Sequence, residues 1–194
     1  TCLQCHADAV QGDIELQFFA SAHRSGAIAV DYAGGRGGCA PCHSHELFVQ
    51  WTETGTAGNV SAPSAWQCKT CHNTHETFTA EDEALRVSDA LMMTFDTTVV
   101  FDNGNSNLCA ICHQSRRAEP NVSDPGTTFE ITSSHYGPHH GAQANVLMGA
   151  GFAMEDGYSG NNPHWETGCT GCHMDANADA GQGGHTFIPS DAKC

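Results

Sequence analysis

The sequence Cys-x-x-Cys-His occurs five times in 194 residues. The copies are Cys2-Leu3-Gln4-Cys5-His6, Cys39-Ala40-Pro41-Cys42-His43, Cys68-Lys69-Thr70-Cys71-His72, Cys109-Ala110-Ile111-Cys112-His113 and Cys169-Thr170-Gly171-Cys172-His173. On one helical turn, positions i, i+3 and i+4 share a face, so two thiols and an imidazole converge on a single planar group. The spacing is that of a c-type haem attachment site, in which the thiols form thioethers with the vinyl groups and the His ligates iron. Zinc knuckles or disulfides are the rival readings, and neither requires a His after every second Cys. With 13 His in the chain, chance placement after all five pairs has a probability on the order of one in a million. The expected cofactor is therefore five covalent haems c, carried by Cys2, Cys5, Cys39, Cys42, Cys68, Cys71, Cys109, Cys112, Cys169 and Cys172. His6, His43, His72, His113 and His173 are the proximal ligands.

Bis-imidazole ligation of five irons needs five further His, and eight are available: His23, His45, His75, His135, His139, His140, His164 and His185. The scattered Met residues are more simply read as packing. Reach limits the assignment, because three extended residues span only about 10 Å. His75, three residues after His72, cannot cross its own porphyrin and must serve a different haem, which forces two porphyrins together. The same limit applies to His45, two residues after His43. His23, His164 and His185 are further candidates for distal ligands. In the cluster His135-Tyr136-Gly137-Pro138-His139-His140 we take His139, with His135 as its rival. His45 and His140 are then spare or donated to a neighbouring molecule.

Composition supports this reading. Apolar residues make up 39% of the chain, against 21 Gly, so a core of side chains alone would be thin. Porphyrins would supply the missing apolar surface. The formal charge of −15 argues against nucleic acid or an anionic membrane surface as a partner. No apolar run approaches a membrane span of roughly 18–20 residues. Cys2 belongs to a motif rather than to a lipidated terminus, and any export signal has already been removed.

The expected fold is a multihaem cytochrome c, one domain over residues 1–194: mostly irregular coil, short α-helices at the motifs, and little β structure around a chain of five haems. A helix around Pro138 to Leu147 and one hairpin complete it. Loops are expected at Gly34 to Gly38, Gly55 to Ser64, Asp102 to Asn107 and Asn121 to Gly126. Weaker signals include Asp175-Ala176-Asn177-Ala178-Asp179-Ala180-Gly181, which resembles a Ca2+ loop. Its Gly is one place late and no Glu stands at the twelfth position, so a solvated turn is the simpler reading. Arg116 and Arg117 could pair with propionates or stand exposed. Asn59-Val60-Ser61 and Asn121-Val122-Ser123 are glycosylation sequons. Cys194 has no partner motif, and its role stays open.

Several stretches carry a resemblance to a family. They are Cys68-Lys69-Thr70-Cys71-His72-Asn73-Thr74-His75-Glu76, Asn107-Leu108-Cys109 through Ser115-Arg116, and the run from His139-His140-Gly141-Ala142-Gln143 to Gly184-His185-Thr186-Phe187. Together they resemble the outer-surface multihaem c-type cytochromes of metal-respiring and related prokaryotes, including members that polymerise into extracellular filaments. The resemblance implies bis-His haems in stacked pairs, little secondary structure and, in filament-forming members, an axial His supplied by the adjacent subunit.

The leading expectation is an electron-transfer protein rather than an enzyme: a secreted, extracellular or cell-surface conduit. It would form a homo-oligomer or filament in which the haem near Thr1 approaches a haem of the next subunit, and it would pass electrons to redox proteins or extracellular acceptors. The alternatives are a soluble periplasmic carrier and a multihaem reductase of nitrogen or sulfur oxyanions, which would need one five-coordinate iron.

Overall fold

The computed structural model describes residues 6–116, 128, 130, 132, 141–150, 163–176 and 181–193. Cys2, Cys5, Arg117, His135, His139, His140 and Cys194 lie outside them. The chain forms two compact units. The first is built from Thr1–Val87 and Cys169–Cys194, the second from Ser88–Gly168.

The first unit is helical. Helix α1 (Asp8–Ala20) stops where the Ser21 hydroxyl donates to the Phe18 carbonyl at 2.7 Å. Short helices α2 (Ala22–Ser25) and α3 (Ala27–Ala33) lead to α4 (Ala40–His43), which carries the second motif with Pro41 in its first turn. Proline is tolerated there because that amide has no intrahelical acceptor. Helix α5 (His45–Thr54) begins at Ser44, whose hydroxyl accepts from the Leu47 amide, and ends at Gly55 in the left-handed conformation (φ 72°). Its Leu47 and Phe48 are buried. The Glu46 carboxylate accepts from the Ser64 hydroxyl at 2.6 Å and amide at 3.0 Å, stapling the 55–64 loop onto α5. Helix α6 (Cys68–Cys71) carries the third motif. After it the chain turns through a 3₁₀ turn (Ala80–Glu83) and runs back beside the motif: the Asn73 amide donates to the Ala84 carbonyl and the Arg86 amide to the Cys71 carbonyl.

The second unit has an ordinary side-chain core. Strands β1 (Leu91–Met92) and β2 (Val100–Phe101) pair antiparallel, Leu91 opposite Phe101 and Met92 opposite Val100. Met93 and Phe101 are fully buried with Ala110 and Ala144, and Leu91, Phe95, Val99, Leu147, Met148 and Trp165 pack around them. Ala110 comes from α7 (Ser106–Cys112), which carries the fourth motif, and Ala144 from α8 (Gln143–Met148). Within the stretch expected to be helical around Pro138 to Leu147, the described residues place α8 at Gln143–Met148.

Helix α9 (Pro163–His173) is broken at Gly168, whose φ of 65° and ψ of −173° no helix contains. A Cβ at Gly168 would meet the Asn103 and Ser106 side chains of the second unit, so only glycine fits there. The boundary between the units follows directly, and the fifth motif, Cys169–His173, belongs to the first unit. Among the described residues no helix is long and apolar enough to cross a membrane.

Candidate haem-binding site

Each of the four described motifs sits on a helical turn: α4, α6, α7 and the C-terminal part of α9. That local geometry is what lets the two Cys and the His share a face. Motif 3 is the best defined. The Thr70 hydroxyl accepts from the Gln67 amide at 2.8 Å and closes the start of α6. Burial, with Cys68 adding to it, pushes the Cys71 thiol up to about 11.

The imidazoles carry the strongest geometric signal. An iron between two axial nitrogens at about 2 Å each holds the ring centroids roughly 6 Å apart. His6 and His75 stand 5.9 Å apart between centroids, and His72 and His185 stand 6.2 Å apart. Each pair joins the proximal His of one motif to a distal candidate from elsewhere in the chain. In the first pair His75 faces His6 of motif 1.

The hydrogen bonds set the tautomers. His72 Nδ1 lies 2.7 Å from the Glu83 carbonyl, and His173 Nδ1 lies 2.8 Å from the Phe187 carbonyl. A carbonyl oxygen can only accept, so the proton is on Nδ1 and the Nε2 lone pair is left for a metal. Burial lowers the His185 pKa, and His72 beside it lowers it further. Both effects favour the neutral imidazole, the form that ligates.

His185 is positioned from two sides. Gly183 and Gly184 both have positive φ and make the tight turn that presents this half-buried residue. The Gln17 side chain of α1 accepts from the His185 amide at 2.9 Å and lies so close to Gly184 that a Cβ there would collide with it. Two residues on, Phe187 meets the His23 ring edge-on at 4.5 Å while its carbonyl holds His173. One short segment therefore touches candidate ligands of motifs 3 and 5 and also His23.

Other expected site residues fall less tightly. His23 and His43 both lie against Trp66, at 5.9 and 6.3 Å. His164 is exposed on α9. His113 is exposed at the end of α7, and its carbonyl accepts from the Ala144 amide of α8 at 2.8 Å. His139 and the motif 1 cysteines Cys2 and Cys5 lie outside the described residues. His45, expected to be spare, has its Nδ1 2.8 Å from the Thr70 hydroxyl inside motif 3, and burial lowers its pKa despite Glu46. Of the calcium-like stretch, Asp175 is buried and faces the Lys193 ammonium at 3.7 Å, while Asn177 and Asp179 lie outside the described residues.

Sequence reasoning missed the groups that position the imidazoles: the Gln17 side chain and the carbonyls of Glu83 and Phe187. A carbonyl leaves no mark in the side-chain pattern. Among the described residues no cluster of three or more His, Cys, Asp or Glu converges, and a bis-imidazole iron needs two. No family model, curated protein or solved structure matches this chain.

Proposed function

We propose that this chain is a multihaem c-type cytochrome that binds five haems covalently and conducts electrons. The observation that carries the reading is the pairing of His6 with His75 and of His72 with His185 at the separation an axially ligated iron requires. The five Cys-x-x-Cys-His motifs supply the covalent attachment. In this reading Cys68, Cys71, His72 and His185 hold one haem, and His6 and His75 ligate a second. Haem iron supplies reversible one-electron chemistry when bound.

The chain's own residues then have three tasks. The Nδ1 hydrogen bonds of His72 and His173 fix ring orientation and keep Nε2 available. Burial lowers the His185 pKa and so favours the neutral ring. The three-residue tether from His72 to His75 ties two ligands of different irons to one turn of chain, which keeps their sites adjacent. Filling both axial positions leaves no place for a substrate, so the reading is electron transfer rather than catalysis. The acidic composition and surplus His favour an extracellular or cell-surface conduit that assembles into a homo-oligomer or filament, with other redox proteins or extracellular acceptors as partners.

Visible and EPR spectra of the purified protein test this reading. Low-spin iron throughout, with reduced cytochrome bands, is the expected result. A high-spin iron that answers to nitrite or hydroxylamine would replace the conduit by a reductase. Sedimentation and electron microscopy test assembly: a monomer alone would leave a discrete periplasmic carrier.

A further inference from the structure

The loop that presents His75 is held in a conformation its own residues disfavour. His75 has φ 64° and Phe78 has φ 57°, both left-handed and neither a glycine. A single carboxylate compensates. Asp82 Oδ1 accepts from the Glu76 amide at 3.2 Å, the Thr77 amide at 2.7 Å and the Thr77 hydroxyl at 2.8 Å, and Oδ2 accepts from the Phe78 amide at 2.9 Å. Asp82 is itself buried, at 7% exposure. Burial pushes its carboxyl up, but the bonds from Thr77, Phe78 and His75 outweigh this and hold it down to about 2.

The anchor is fixed to the adjacent motif. His72 bridges to Leu85, and the Glu83 carbonyl next to Asp82 accepts from His72 Nδ1. The position of Asp82 is thus set by motif 3, and the position of His75 is set by Asp82.

We propose that Asp82 is a positioning residue for His75, holding the strained loop so that this imidazole stands opposite His6. The inference rests on the bis-His reading above and adds to it the group that makes His75 available as a ligand. Removing the carboxylate frees four donors and lets His75 and Phe78 relax out of the left-handed region, which withdraws the imidazole from His6.

The test uses the full-length haem-loaded protein and its variants Asp82→Ala, Asp82→Asn and Asp82→Glu. Asp96→Ala serves as the control, because Asp96 also caps a turn, accepting from the Thr98 amide and hydroxyl, but belongs to the second unit and makes no bond to the 75–78 loop. Intact mass gives haems per chain, EPR gives spin state, and carbon monoxide uptake by the reduced protein counts open axial positions.

For Asp82→Ala the expected result is five haems retained, one iron in five turned high-spin, and one carbon monoxide gained per chain. Added imidazole restores the low-spin signal. Asp82→Asn keeps one acceptor oxygen but sets an NH2 against the other donors, so it gives a partial effect. It is read in the same way if the Ala variant does not accumulate. Asp82→Glu recovers most of the parent spectrum. Variants that keep every iron low-spin and take up no carbon monoxide would overturn the inference, as would a high-spin signal that imidazole does not reverse or that Asp96→Ala shares. A parent protein without haem would instead overturn the reading on which the inference rests.

Discussion

The two units solve the problem of making an interior in different ways. The second buries Met93, Phe101, Ala110 and Ala144 completely and surrounds them with larger apolar side chains. Side chains pair with its backbone: Asn107 accepts from the Asn103 amide and donates to the Ser88 carbonyl, Gln114 accepts from the Thr94 amide, and Asn145 accepts from the Ser115 amide. In the first unit the buried apolar residues are spread over α1, α3, α4 and α5, and imidazole and aromatic rings face one another instead: His6 with His75, His72 with His185, and His23 with Phe187 and Trp66. The second unit is organised as a conventional domain around one motif. The first brings imidazole and aromatic rings together, and in the proposed reading these imidazoles are haem ligands; four of the five motifs belong to it.

If that contrast is real, substitutions in the two units report on different things. The largest effect is expected from His185→Ala. It removes one axial ligand, so one iron becomes high-spin and binds carbon monoxide, while amide exchange in the second unit is unchanged. Loss of protection at Phe101 or Ala110 in that variant would dissolve the distinction.

Next comes Phe101→Ala, which opens a cavity beneath Trp165. It should destabilise the second unit by about 3–5 kcal/mol in chemical denaturation, with haem content and spin state retained. A high-spin signal there would mean that the core and the ligands are coupled.

Gln114→Ala is smaller. It leaves the Thr94 amide without its side-chain acceptor, at a cost of about 1–3 kcal/mol, and again the spectrum should not change.

The smallest is a pH effect on the β1–β2 turn. The Thr98 hydroxyl and amide hold the Asp96 carboxyl below its ordinary 3.8. Because the folded value is the lower one, this stabilisation is complete above the ordinary value and is lost as pH falls through the depressed one. The protection factor of the Val99 amide, taken against the intrinsic exchange rate at each pH, should therefore be flat from neutral pH down to that range. A lower protection factor already at pH 6 would contradict it.

The parts legible in the sequence were those fixed by short-range spacing. The motifs on single helical turns follow from Cys-x-x-Cys-His alone. Which imidazole His75 faces was not legible. It depends on a left-handed turn that no glycine announces, held by an Asp seven residues later. The pairing of His185 with His72 was hidden for a related reason. More than a hundred residues separate them, and the contact depends on Gln17 at the other end of the chain. The core of the second unit was underestimated, because its apolar residues come from the β hairpin, two short helices and Trp165, none of which shows a long periodic pattern. The bond from His45 to Thr70 was not legible either, because the two stand 25 residues apart.

Porphyrin content is the premise under every ligand assignment, and the mass of the intact native polypeptide measures it directly. The account predicts the sequence mass plus five covalently bound haems, unchanged after denaturation and solvent extraction. A mass equal to the bare chain would contradict it.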